Sequence, residues 1–416
     1  MRDSKVHHQG KLAHEIPLHM NVLLRDGDPI LSEVLAKVDP LNQVAVLMIS
    51  AILANFRIDP DATVFYSRDR TFYSRRATRR YYPEHYTYSA TVAAVDALAR
   101  CDFVEDMRTP PSPRASMRSR LRAATPLQTL LERTCSSPII YIENETIVLR
   151  RSSKAKEQID YVDTDEIRAL RADVHAQNEF LRGFAIGVDG LTERECIVLF
   201  GGVHYDLSSK LFHRVFNGSF KYGGRWYGPA WQNMPRELRQ RLTIDGSATC
   251  ELDFRSCHPR LLCASAGLRF PFDDPEFDFY RLPPFDRGEV KSAVKVLLNA
   301  GSPRSARGAL ITELLDEGIP GAASRAKSLC KAVPAAWPEL APYWGSGIGL
   351  RLQRIDADIC ARVQAELRAQ GVPVLSIHDG FIVPVAARRS LQTVMDAAIA
   401  DACADLRDHP LEVAMP

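Results

Sequence analysis

The chain has no C-x-x-C pair, no long uninterrupted apolar run, no internal repeat and no low-complexity tract. Its nine cysteines are odd in number and scattered. That argues against a disulfide framework or a zinc site and for reduced thiols, so a cytoplasmic location is expected. The longest apolar stretch, Val44 to Phe56, is broken by Ser50 and Asn55. It is too short to span a bilayer and reads as a buried helix, so no membrane partner is expected. Met1 to Leu12 is polar and lacks an apolar h-region, and no secretory signal is expected from it.

What is present is ordinary in bulk and uneven in detail. A hydrophobic content of 46% and a charged content of 25% fit a globular protein, and 416 residues suffice for two or three cores. The net charge of +2 identifies no partner. Residues 65 to 135, however, hold 13 Lys+Arg against 7 Asp+Glu, a balance of +6. A basic segment on a near-neutral chain points to a polyanion, or else to a solvated arginine face.

Leu41 to Phe56 reads as a core helix, ended by Asp59-Pro60-Asp61. Arginines and aromatics then interleave: Arg75, Arg76, Arg79 and Arg80 run into Tyr81 and Tyr82. Ser89 is a candidate cap for a helix carrying Val92, Val95 and Leu98. Phe103-Val104 reads as a strand, and the loop Arg108 to Arg114 leads into Arg118, Arg120 and Arg122. This order is that of a winged helix, which sets one helix in a DNA groove and a basic wing on phosphates. A purely structural helical domain has the same order. Ile139 to Ile142 and Thr146 to Leu149 read as a hairpin across Glu143-Asn144-Glu145. Arg150 to Gln158 is polar enough for a linker, and Asp163 to Phe184 reads as a helix.

The chemistry lies further on. Glu251-Leu252-Asp253-Phe254 is a short strand ending in a carboxylate. Pro259, suited to a first helical turn, follows it. Val374 to Val383 places Asp379-Gly380 between two β-rich runs, a strong hairpin signal that sets Asp379 at a tight turn. Either aspartate alone also reads as structural, as a helix cap or a common turn residue. Between them, Arg287, Lys291, Lys295 and Asn299 recur every four residues and share one helix face. Like charges at that spacing repel, so the row costs stability unless it faces an anion such as a triphosphate.

These pieces, in order over about residues 223 to 385, resemble family A DNA polymerases and their relatives, the single-subunit phage-type RNA polymerases. Gly224-Arg225-Trp226-Tyr227-Gly228, Trp231-Gln232-Asn233-Met234-Pro235 and Arg239 resemble that family's segment ahead of the palm. Asp253 to Leu262 resembles motif A, D-Y-S-Q-I-E-L-R-V-L. The Arg287 to Asn299 helix resembles motif B. Leu352 to Ile359 is similar to I-Q-G-T-A-A-D-I, and Ile377-His378-Asp379-Gly380 resembles motif C. Three departures bear on sugar selectivity. His258 stands where the DNA polymerases have a Glu that helps exclude the ribose 2′-hydroxyl, Asn299 where they have an aromatic, and Gly380 where they have an acidic or hydroxyl residue.

The resemblance implies an α/β (α+β) fold. A polymerase palm with helical fingers would occupy residues 151–416, behind a mainly helical N-terminal basic domain of residues 1–150. It implies template-directed nucleotide transfer by a two-metal mechanism. Asp253 and Asp379 would be the catalytic residues and ligands of two Mg2+, with Mn2+ the alternative. Arg287 and Lys291, with Lys295 one turn on, and with His258 and Asn299, would bind the nucleoside triphosphate. Arg225, Gln232, Asn233, Gln353 and His378 would contact the primer–template. Arg75, Arg76, Arg79 and Arg80 would hold DNA, with aromatics stacking on exposed bases. No proofreading exonuclease is expected. An RNA polymerase or primase on the same palm and a non-catalytic DNA-binding replication protein are the competing readings. A metal-dependent hydrolase using His378-Asp379 is a third, with no further His/Asp cluster in the sequence behind it.

Overall fold

Apolar density places the long helix of the first lobe where the sequence suggests, because a run broken only by Ser50 and Asn55 can bury nearly every face. The computed structural model describes residues 15–17, 22–24, 28–38, 43–57, 59–109, 119–133, 139–141, 143–152, 156–191 and 197–412. In the first lobe these form β1 (Glu15–Pro17), β2 (Val22–Leu24), α1 (Pro29–Leu35), α2 (Gln43–Phe56), β3 (Thr63–Tyr66), α3 (Arg70–Ser74), α4 (Arg76–Tyr81), α5 (Tyr88–Arg100), β4 (Val104–Met107), β5 (Ser119–Ala123), α6 (Thr125–Arg133) and β6 (Ile139–Tyr141). Twelve of the fourteen residues of α2 are buried. The sheet order is β1-β3-β5-β4, with β3, β5 and β4 antiparallel neighbours. Helix α5 is capped by Thr87, two residues before the Ser89 expected from sequence, because the Thr87 hydroxyl accepts from the Ala90 N–H.

The second lobe begins with β7 (Ile147–Arg150) and α7 (Asp165–Arg182), followed by β8 (Ile186–Val188), β9 (Ile197–Phe200), β10 (Val203–Asp206), β11 (His213–Asn217) and β12 (Ser219–Tyr227). Next come α8 (Arg236–Arg239), β13 (Leu242–Ile244), β14 (Ser247–Asp253), α9 (Cys257–Ser265), α10 (Arg287–Asn299), α11 (Pro303–Asp316), α12 (Ala322–Ala336), α13 (Gly349–Ala369), β15 (Leu375–Ile377), β16 (Gly380–Pro384) and α14 (Arg388–Asp408). Its main sheet has five antiparallel strands in the order β15-β16-β14-β13-β8. Helices α9, α13 and α14 pack together, with α14 also against β14 and β16. Helices α10, α11 and α12 pack on one another, and α10 also packs on α13. Leu375, Phe381, Ile382 and Val383 are at most 1% exposed. Each such side chain contributes roughly 1.5–3 kcal/mol by burial, which makes β15 and β16 a stiff support for the turn between them.

The hydrophobic cores of the two lobes part between Leu131 and Ile147. The segment expected to form a hairpin around Glu143-Asn144-Glu145 does not. β6 pairs with β2 in the first lobe, whereas β7 runs parallel to β11 in the second. The connecting carboxylates have other partners: Glu145 takes Arg171 at 3.0 Å, and Glu143 takes His175 and Asn178 at 2.5 Å each. No helix among the described residues is long and apolar enough to cross a membrane.

Candidate active site

Strand β14 carries Cys250 and Leu252 toward the core, so the alternate residues Glu251 and Asp253 face away from it. Its last residue, Asp253, lies opposite Gly380, the first residue of β16. The Phe254 N–H donates to the Asp379 carbonyl at 3.1 Å. Two sequence-distant aspartates thus meet at one end of the sheet. The turn between β15 and β16 consists of His378 and Asp379, since Ile377 pairs with Gly380. His378 supplies the left-handed torsion, with φ 58°. Gly380 is therefore a strand residue, where the sequence suggested a turn. Its lack of a side chain has another cause: a Cβ there would drive into Asp253 Oδ1.

The two carboxyls are held at elevated pKa. Burial chiefly raises Asp379, with the charge of Asp356 adding to it. Partial desolvation raises Asp253, helped by Glu251 and Asp379. Asp356 is the site residue that sequence reading passed over. It projects from α13, is 2% exposed, and its Oδ2 accepts from Arg225 Nε at 3.0 Å and Nη2 at 2.8 Å. The Nε2 of His258 stands 3.7 Å from the same oxygen. Burial pushes Asp356 up, but His258 and Arg225 outweigh it and hold this carboxyl below the ordinary aspartate range. A signal was available: Asp356 shares the core-facing side of α13 with the buried Leu352, Ile359 and Val363. A carboxylate on an apolar face requires a partner.

Asp379 lines a cleft of about 940 Å³ between the sheet end and α10. Arg225, His258, Arg287, Lys291, Lys295, Asn299 and Gln353 line it too. The proposed nucleotide-binding row therefore faces the same space as Asp379. Its charges are not equivalent. Arg287 is paired with Asp278 at 2.6 Å, and Lys295 is paired with Glu313. Lys291 is exposed and, among the described residues, has no ion-pair partner. The repulsion expected along this row is thus relieved by protein carboxylates at two of its three cations. Asn299 donates to the Lys295 carbonyl at 2.8 Å and packs against Gly349 at the start of α13.

No protein-family model matches this chain, and no curated protein matches it.

Among the residues expected on nucleic acid, Arg225 and Gln353 reach the cleft. His378 is not among the lining residues and packs against Tyr227 at a ring separation of 5.4 Å. Burial first, and then Arg225, lower its imidazole below the ordinary histidine value. Asn233 is exposed outside the cleft lining. Gln232 has a structural role instead: it donates to the Trp226 and Ser376 carbonyls and accepts from the Gly228 N–H. In the first lobe Arg75 and Arg79 are exposed, and the side chain of Arg76 lies outside the described residues. Arg80 is not free for a phosphate. It holds Asp160 at 2.6 Å, donates to the Tyr161 carbonyl at 2.6 Å and stacks on the Tyr161 ring at 3.9 Å. Tyr73, Tyr81 and Tyr86 are buried and not available to stack on bases. The loop Pro110–Pro113 and Arg114 and Arg118 beyond it lie outside the described residues. Glu143, His175 and Glu179 bring three potential ligand atoms within 4.8 Å of one another, a cluster not foreseen from sequence and formed by none of the cleft residues.

Proposed function

We propose that this chain is a template-directed nucleic-acid polymerase, most simply a DNA polymerase, adding nucleotides from nucleoside triphosphates to a 3′-hydroxyl. The observation that carries the reading is the meeting of Asp253, at the end of β14, with Asp379, in the turn before β16, where Asp379 lines a cleft whose helical wall offers Lys291. An antiparallel sheet bearing two carboxylates and facing a helical unit supports a palm and fingers of the family A kind.

The donor set fits Mg2+. It consists of carboxylate oxygens, one of them open to water, and the absent side chain of Gly380 leaves room for Asp253 at the strand end. Asp253 and Asp379 would hold the ions, and the chemistry so supplied is activation of a 3′-hydroxyl and neutralisation of leaving pyrophosphate. The rest falls to side chains. Lys291 offers its charge to the triphosphate without breaking an existing pair. Arg287 and Lys295 reach it only by exchanging Asp278 and Glu313. Asp356 fixes the Arg225 guanidinium and the His258 ring at the cleft wall.

In the first lobe, α2, β3, α3 to α5, β4 and β5, with the sheet order β3-β5-β4, follow the chain order of a winged helix. That supports a DNA-binding module with Arg75 and Arg79 on its surface. His258, placed where the family's DNA polymerases carry an acid, gives the RNA polymerase or primase reading its footing. Extension of a primed template, run separately with dNTPs and rNTPs, tests both. Wild type should extend with one set. Asp253→Ala and Asp379→Ala should abolish incorporation while retaining DNA binding. Equal extension by wild type and Asp379→Ala overturns the catalytic assignment, and DNA binding without extension by any form leaves a non-catalytic replication protein.

A further inference from the structure

A second groove, of about 530 Å³, joins the cleft beside Asp379, because Arg225 and Gln353 line both. Arg150, Arg151, Lys156 and Arg225 border it, together with His213 and Tyr227, and among the described residues no carboxylate does. Arg225 is matched to Asp356 at 2.8 Å. Otherwise the matching is sparse: among the described residues Arg150 and Lys156 have no ion-pair partner, and Arg151 reaches Glu157 only at 3.8 Å, with both side chains exposed. An excess of cations in a concave surface favours an anionic ligand.

Tyr227 adds a second feature. It is 38% exposed, and its ring lies 6.3 Å from that of His213 and 5.4 Å from that of His378. A part-exposed aromatic ring in a groove bordered by Arg and Lys can take an unpaired base and its phosphates, as single-strand-binding surfaces do. A duplex presents no free base face to such a ring. The ring also marks a route, since His378 precedes Asp379 in the turn.

We propose that this groove, built on β7, β11 and β12, is a track for single-stranded nucleic acid leading to Asp253 and Asp379. Arg150, Arg151 and Lys156 would contact phosphates, Tyr227 would stack on a base, and Arg225, held by Asp356, would mark the junction with the cleft. The proposal rests on the polymerase reading for its direction, but its binding chemistry is testable alone.

The experiment is fluorescence anisotropy of a labelled oligo-dT with the full chain, over about 50 to 200 mM salt. The variants are Arg150→Ala/Arg151→Ala/Lys156→Ala, its glutamine counterpart, which keeps the aliphatic stems, and Tyr227→Ala beside Tyr227→Phe. Each lost contact with a single strand should reduce the slope of log K against log salt by about 0.7, so the triple variants should lose about 2. Tyr227→Ala should weaken binding roughly tenfold, and Tyr227→Phe should retain it. A control that removes two cations outside the groove, Arg388→Ala/Arg389→Ala at the start of α14, should leave the slope unchanged. Unchanged slopes in both triple variants overturn the track, as does a loss seen only with duplex DNA. Primer extension separates the two readings. Strand binding through the groove without incorporation by wild type counts against the polymerase alone; incorporation with unaltered slopes counts against the groove alone.

Discussion

Asp356→Asn should destabilise the second lobe far more than an ordinary aspartate substitution. Asp356 is 2% exposed, and its Oδ2 accepts two bonds from Arg225. Asparagine keeps the shape but removes the charge, leaving the Arg225 guanidinium uncompensated. Breaking a buried pair from one side costs about 3–5 kcal/mol. Arg225 is 21% exposed and can turn partly toward the cleft, so a loss of about 2–3 kcal/mol is expected. The pH dependence has a definite sign. The folded-state pKa of Asp356 is depressed, so its contribution is present above the unfolded aspartate value of about 3.9. It is lost as pH falls through the lower folded value. The gap between wild type and variant should therefore be flat from pH 7 to about pH 5 and close in stronger acid. Chemical denaturation, following the transition of the second lobe, measures it. A double-mutant cycle with Arg225→Met isolates the pair. A loss under about 0.5 kcal/mol, or no coupling to Arg225, would refute the assignment of Asp356 as the anchor of that guanidinium.

Asp379→Asn should act in the opposite direction. Burial and Asp356 raise the folded pKa of Asp379, so its carboxyl contributes stability while protonated and loses it as pH rises through that value. Thermal melting at pH 7 in chelator should show the variant more stable than wild type, each unit of raised pKa being worth about 1.4 kcal/mol; an equal or lower Tm would count against this burial. Gly380→Ala should displace the Asp253 carboxylate and cut incorporation at least tenfold with little change in the far-UV spectrum, and full activity would show that the close approach is unimportant. Lys291→Ala should raise the apparent nucleotide KM and lower kcat more than Lys295→Ala, because Glu313 already neutralises Lys295; equal effects would place the triphosphate elsewhere along α10. Arg80→Ala should loosen the contact with Asp160 and Tyr161 and speed proteolysis of the segment joining the lobes, with no change in the salt slope of DNA binding; a reduced slope would return Arg80 to the DNA surface.

Local signals in this sequence were informative wherever one element settles its own structure. The apolar run of α2, the four-residue spacing on α10 and the apolar face of α13 ended by Gly371 can each be read without neighbours, because a helix closes its own hydrogen bonds and only needs one side to bury. The strand-end position of Asp253 and the turn position of Asp379 are local in the same sense. Their residue types, carboxylates on either side of a basic helix in the chain, can be read from the sequence itself.

What they do together depends on register, and register is not local. A slip of one residue between β14 and β16 would carry Asp253 to the opposite face of the sheet, and nothing in either strand alone excludes it. The packing of Gly380 against Asp253 becomes visible only once the strands are paired. The same holds for the segment around Glu143 and Glu145. Its two apolar runs read as a hairpin, yet β6 completes one lobe and β7 the other, since each finds a longer-range partner. Charge was the least legible property. Arg80, Arg287 and Lys295 count as free cations in the sequence, but folding brings Asp160, Asp278 and Glu313 to them across 80, 9 and 18 residues. Among the described residues Arg150, Lys156 and Lys291 have no ion-pair partner. Sequence alone determined which residues can ligate, cap or bury; tertiary structure decided which charges stay unmatched, because a Coulomb partner is fixed by distance in space and not along the chain.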